Sequence, residues 1–178
     1  MSITGSGFDL QAGLMCRFGL VVVDRDALRV VSSSLVTCLS PPADVVGTVA
    51  LDVSDEGGGE ASNAVEFLYE QAATVQGVRP SVSALGGKGQ VVTVSGSHFV
   101  ESSTLSCRFG IRGADPATFL STSLVVCRAP ERGAGLMNVM VSNNGADASV
   151  GSAQIAYRSP TFVMAAIPSK GPTTGGTI

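Results

Sequence analysis

Tryptophan is missing from this 178-residue chain, histidine occurs once, and aromatic residues make up only 5%. So few rings leave little material for the stacking platforms on which bases or sugars are usually held. Charged residues are also sparse, at 14%, and no run of lysine or arginine forms a nucleic-acid patch. The net charge of −3 and a pI near 5.0 give no long-range attraction to phosphate backbones. Long apolar runs are lacking too. Gly19–Val23 stops at Asp24 and Phe162–Ile167 stops at Pro168, both far short of the roughly 20 residues that cross a bilayer. The first residues, MSITGSGF, have neither the basic region nor the apolar core of a secretory signal. Either the chain is intracellular, or it is a fragment whose signal lies upstream. No Asn-x-Ser/Thr sequon occurs.

What is present is apolar and turn-rich. Hydrophobic residues reach 44% and there are 22 glycines without a three-residue period. Disorder and collagen are both excluded by that balance. Valine, serine and threonine dominate over glutamate and lysine, which favours strands over exposed helices.

The chain repeats itself. Ile3–Phe8 is echoed by Val94–Phe99, and Cys16-Arg17-Phe18-Gly19 by Cys107-Arg108-Phe109-Gly110, both at an offset of 91. Cys38-Leu39-Ser40-Pro41 returns as Cys127-Arg128-Ala129-Pro130 at 89, and Gly47–Ser54 as Gly135–Ser142 at 88, with Tyr69 matched by Tyr157. The register drifts where turns belong, giving a unit of about 90 residues. A third copy starts at Pro168–Ile178, which aligns with the stretch from Pro80 to Val91. The expected organisation is therefore 1–71, a unit lacking its first strand, 72–159, a complete unit, and 160–178, the start of a third. Met1 is read as an arbitrary start within a longer array.

In the complete unit, strands are expected at Gln90–Val94 (broken at Gly96), Thr104–Phe109, Ala117–Leu120, Ser123–Cys127, Leu136–Ser142 and Ala153–Tyr157. Asn144-Gly145 is expected to make a tight hairpin turn. Ala72–Val78 and Ser159–Ile167 read as brief linkers. About seven short strands with frequent turn signals and no helical period describe an all-β chain of tandem immunoglobulin-like β-sandwiches. Without tryptophan, an early-set variant suits better than an antibody-like core.

Taken in order, the opening PSKGPTTGGT of the third copy, VTVSGSHF, CRFG, STSLVVCRAP and VMVSNNG…Y resemble IPT/TIG domains. The resemblance covers nearly the whole chain and departs at Ala84–Gln90, where the family favours Gly-Pro and Gly-Gly-Thr. It implies an immunoglobulin-like fold. It also implies a role as a binding or structural module, as in the ectodomains of plexins and fibrocystin-like surface proteins, joined into a rod.

Four cysteines allow three pairings. The repeat selects Cys16 with Cys38 and Cys107 with Cys127, matched positions about 20 residues apart, and the family resemblance agrees. The alternative is four buried reduced thiols in a cytosolic sandwich. A zinc site is remote, since no C-x-x-C spacing exists.

No catalytic frame is expected. His98 aligns with Gly7 and reads as a surface turn residue, and no G-x-S-x-G elbow occurs. Asp52, Asp55, Glu56 and Glu60 could attract calcium, but the second unit is neutral there and a solvated turn is the plainer reading. Gly57–Gly59 and Gly86–Gly89 lead into no helix, so they read as turns rather than phosphate cradles.

The expected function is a non-catalytic, extracellular or cell-surface array serving protein–protein interaction or adhesion, with no cofactor, no metal, no nucleic acid, and membrane attachment only through segments outside this chain. Two alternatives remain. One is an accessory module of a secreted polysaccharide-acting enzyme. The other is a DNA-binding Rel-type domain, against which the dispersed Arg79, Lys88, Arg108, Arg112 and Arg128 argue. Unpaired strand edges at both incomplete units are expected to promote aggregation.

Overall fold

The computed structural model describes residues 1–9, 13–23, 25–55, 61–85, 89–111, 113–159 and 161–178. The chain divides into two compact units, Met1–Gln71 and Ala72–Ile178. Glu56, Glu60, the Gly57–Gly59 run, Gly86–Lys88 and Arg112 lie outside the described residues.

The second unit contains β8 (Thr74–Arg79), β9 (Val82–Ala84), β10 (Gln90–Ser97), β11 (Ser106–Phe109), β12 (Ala114–Pro116), β13 (Thr118–Ser121), β14 (Leu124–Ala129), β15 (Gly135–Ser142) and β16 (Ala153–Arg158). They form two sheets, ordered β13-β14-β10-β8 and β12-β11-β15-β16-β9. Every pairing is antiparallel except β16 with β9. Inward positions recur with period two, as the pleat demands. Val92 and Val94 on β10, Cys107 and Phe109 on β11, Val125 and Cys127 on β14, Val139 and Val141 on β15, and Ile155 and Tyr157 on β16 all enter one core. The alternation read from the sequence thus becomes a two-layer β-sandwich.

The first unit repeats this with fewer strands: β1 (Ser2–Thr4), β2 (Leu14–Phe18), β3 (Val21–Val23), a 3₁₀ turn at Arg25–Ala27, β4 (Leu28–Ser32), β5 (Leu35–Cys38), β6 (Gly47–Asp55) and β7 (Val65–Tyr69). Its sheets run β1-β5-β4 and β3-β2-β6-β7. Laid on the second unit, they match β10-β14-β13 and β12-β11-β15-β16. The core holds Cys16, Phe18, Val36, Cys38, Leu51 and Val53. Phe67 meets both Phe18 and Tyr69 edge-on, at centroid distances of 5.1 and 5.0 Å.

Turns repeat atom for atom. Ser32-Ser33-Ser34 joins β4 to β5 as Ser121-Thr122-Ser123 joins β13 to β14. In each, the third residue's amide donates to the first residue's hydroxyl at 3.2 Å. Gly19 and Gly110 end the Cys-Arg-Phe-Gly strands at φ +60° and +63°, a conformation glycine adopts without steric cost. Their amides donate to Ala50 and Asn138 carbonyls at 2.7 and 2.8 Å.

Three local expectations change. Ala72–Val78 is no linker, because β8 occupies Thr74–Arg79 as an edge strand of the second unit. Gln76 and Gly77 separate its buried Val75 and Val78 by three positions, so the inward pair shifts phase and no simple alternation shows. β10 does not break at Gly96; it runs on to Ser97 through a register shift between Ser95 and Gly96. Asn144-Gly145 does not form a two-residue hairpin, since β15 and β16 are joined by residues 143–152 and pair only from Val139↔Ala153 inward. The short β12, with Pro116, was not anticipated. It lies at a sheet edge, where a missing amide is tolerated.

His98 occupies the turn after β10 at φ +58°, where its repeat partner Gly7 has φ +77°. A left-handed conformation disfavours a side chain bearing Cβ. Replacing His98 by Gly should therefore stabilise the second unit by up to about 1 kcal/mol, whereas His98→Val should destabilise it. Urea midpoints of the three chains provide the check, and a lower midpoint for the Gly variant would contradict this assignment.

Candidate functional site

The cysteines come together as two pairs. Cys16 on β2 faces Cys38 on β5, with Cα atoms 6.7 Å apart, and Cys107 on β11 faces Cys127 on β14 at 6.1 Å. Each pair spans the two sheets of its own unit, and all four side chains are buried. A bridge closing a loop of about 20 residues contributes on the order of 3 kcal/mol in the chain-entropy description.

The arginine following Cys16 on β2 and Cys107 on β11 points outward and does different work in the two units. Arg17 on β2 lies opposite Asp52 on β6. Its Nε donates to both carboxylate oxygens at 3.1 and 3.2 Å, and its Nη2 to Oδ2 at 2.8 Å. Asp52 is only 6% exposed, so this forked contact compensates a carboxylate largely removed from water. Hydrogen bonding and then charge attraction to Asp52 raise the Arg17 pKa above its ordinary value. Asp52 is thus engaged by an arginine rather than displayed as part of an acidic cluster.

Arg108 faces Met140 and finds no carboxylate there. It donates instead to the carbonyls of Gly145 and Ala146 at 2.9 and 2.7 Å. Those carbonyls belong to a loop held from several sides. Asn144 Oδ1 accepts from the amides of Ala146 and Asp147 at 3.0 and 2.8 Å. Asn143 Nδ2 donates to the His98 carbonyl at 2.8 Å, while its Oδ1 accepts from the Val100 amide at 3.2 Å. Ser102 and Thr104 hydroxyls both donate to the Asn143 carbonyl, at 2.6 and 3.1 Å. Loops 98–104 and 143–147 therefore form one preorganised polar surface at an end of the second sandwich. His98 is exposed on it, and its ring lies 3.4 Å from the Ser97 hydroxyl. The Asn-Asn-Gly signal marked this place in the sequence, but its partner across the sandwich end was not evident.

A second feature lies within the first unit. A groove of about 280 Å³ opens along β1 and is lined by Ile3, Thr4, Gly5, Phe8, Leu51 and Val65, among others. Phe8 is half-buried here, whereas its counterpart Phe99 is 1% exposed. Among the described residues, no group of three or more His, Cys, Asp or Glu side chains could hold a metal ion. No described helix is long and apolar enough to cross a membrane.

The IPT/TIG domain family matches residues 73–158. No curated protein matches the chain. Among solved structures, the chain is similar to the SGBP-B of a Bacteroides ovatus mixed-linkage glucan utilization locus. That structure is a complex with a mixed-linkage heptasaccharide; identity is 12%, the match covers 89% of this chain and 42% of that one, and the TM-score is 0.37. The plexin A4 extracellular region matches at 14% identity over 84% of this chain and 22% of its own, with a TM-score of 0.38. InvD of Yersinia pseudotuberculosis matches at 11% identity over 96% of this chain and 54% of its own, with a TM-score of 0.36. The chain spans between about a fifth and about half of these proteins.

The Arg17–Asp52 pair generates a test. Arg17→Met should lower the first unit's thermal midpoint, because it strands a buried carboxylate; the double variant R17M/D52L should recover much of the loss. Equal midpoints for the single and double variants would contradict the pairing.

Proposed function

Residues 73–158 are an IPT/TIG domain, and from that premise we propose that the chain serves as a non-catalytic run of binding modules displayed outside the cell. The observation that carries this reading is the pair of buried cysteine clamps, one per unit, each tying sheet to sheet. Bridges of this kind form and persist in oxidising compartments. We take both as covalent in the native protein. Small sandwiches of this size gain from such staples, because their cores alone supply limited stability.

Binding rather than reaction chemistry is supported by what the polar groups do. Arg17 and Asp52 engage each other, Arg108 holds a loop, and the loop asparagines satisfy backbone groups. These interactions stiffen a surface without converging on a reacting centre. The cluster of loops 98–104 and 143–147, set on a rigid scaffold, is the surface proposed to meet a protein partner.

Surface labelling tests the reading. Antibodies against the chain should stain intact source cells, and protease applied to those cells should remove the epitope. Staining that requires permeabilisation would refute it.

A further inference from the structure

Of the four asparagines, Asn144 alone precedes a glycine. An asparagine in that position is open to attack by its own backbone, because glycine carries no side chain to shield the peptide nitrogen. The reaction needs no enzyme. The Gly145 nitrogen loses its proton and bonds to Asn144 Cγ. The bond from Cγ to Nδ2 breaks, and Nδ2 takes up a proton and leaves as ammonia. Water then opens the resulting succinimide ring at either carbonyl, breaking the ring carbon–nitrogen bond on that side. The products are aspartate, or isoaspartate, in which the main chain runs through the former side chain.

Such an attack requires the nitrogen and Cγ to meet in line at close range. The Asn144 side chain is committed elsewhere. Its Oδ1 accepts from the amides of Ala146 and Asp147 at 3.0 and 2.8 Å and from the Ser142 hydroxyl at 3.3 Å. Its Nδ2 donates to Asp147 Oδ2 at 2.8 Å. Arg108 fixes the two carbonyls that follow, those of Gly145 and Ala146, and Asn143 on the other side is tied to His98 and Val100. Turning Asn144 toward the Gly145 nitrogen breaks hydrogen bonds on both of its polar atoms. Yet Asn144, Ala146 and Asp147 are exposed, so water and base reach the site whenever the loop opens.

We propose that Asn144-Gly145 is a self-modifying site, silent while the loop is closed, and that its conversion opens the polar surface of the second unit irreversibly. Aspartate at position 144 sets a carboxylate oxygen against Asp147 Oδ2, where an amide N–H now donates, and like charges repel. Isoaspartate adds a methylene to the main chain. It carries the Gly145 and Ala146 carbonyls away from Arg108, and the amides of 146 and 147 away from their acceptor. Either product undoes the preorganisation of loops 98–104 and 143–147. The first unit has no equivalent site. Asp55-Glu56-Gly57 occupies the aligned positions, and neither acidic side chain carries an amide to lose. Nothing in this chemistry depends on which partner the surface meets.

Incubation of the 178-residue chain in mildly alkaline buffer, beside a synthetic peptide of residues 140–148, tests the proposal. Digestion and mass spectrometry, with chromatographic separation of aspartate from isoaspartate, follow conversion at Asn144. The intact chain should convert at least about tenfold more slowly than the peptide, since attack must first break several hydrogen bonds. Asp147→Ala, which removes the acceptor of Nδ2, should convert faster than the unaltered chain, with circular dichroism verifying that the sandwich is retained. Chain held in guanidinium without reductant until Asn144 has converted, then refolded, should exchange the amide protons of Ala146 and Asp147 faster than fresh chain taken through the same cycle. An intact chain that keeps pace with the peptide, an Asp147→Ala chain no faster than the unaltered one, or a converted chain whose amides at 146 and 147 stay protected would overturn the proposal.

Discussion

Sulfur set between two sheets organises everything else in this protein. In each unit, a cysteine on the strand ending Cys-Arg-Phe-Gly meets a cysteine on the strand returning from the serine-rich hairpin. The two strands belong to opposite sheets, so their inward faces must look at each other across the core. Once that is so, period-two alternation decides which neighbours are inside. Phe18 and Phe109 follow their cysteines by two, and Val36 and Val125 precede theirs by two. The outward residues between them, Arg17 and Arg108, are left to the surface, where each is used according to what its partner strand offers.

That division explains which parts of the molecule could be read from the sequence. The repeat, the sheet-to-sheet cysteines and the central strands are dictated by local alternation, which a linear pattern displays. The edge strands are less visible. β8 carries Gly77 and shifts phase where β10 bulges, and β12 is three residues long and contains Pro116, so neither shows a clear alternation of its own. The Asn144-Gly145 turn signal was genuine, but the strand register that places it inside a longer loop is set by β11 pairing with the far end of β15. The Arg17–Asp52 fork was equally hidden, because nothing in the motif distinguishes an arginine facing an aspartate from one facing Met140.

The candidate surfaces arise where the repeat is broken, not where it is kept. Loops 98–104 and 143–147 interlock through asparagines that the first unit does not repeat, which gives the second sandwich a polar end of its own. The first unit keeps the central clamp, and Ile3 and Phe8 pack against its core while partly buried. Its core also holds the edge-on Phe18–Phe67–Tyr69 cluster. Burial within that cluster also raises the Tyr69 pKa, and its hydroxyl donates to the Pro41 carbonyl at 3.0 Å.

The account stands on two equivalent sandwiches, each clamped within itself. Peptide mapping of the chain taken from its native source, digested without reduction, addresses this directly. It should yield the fragments containing Cys16 and Cys38 linked to each other, and those containing Cys107 and Cys127 likewise. Free thiols at these positions, or a link from Cys16 or Cys38 to Cys107 or Cys127, would contradict it.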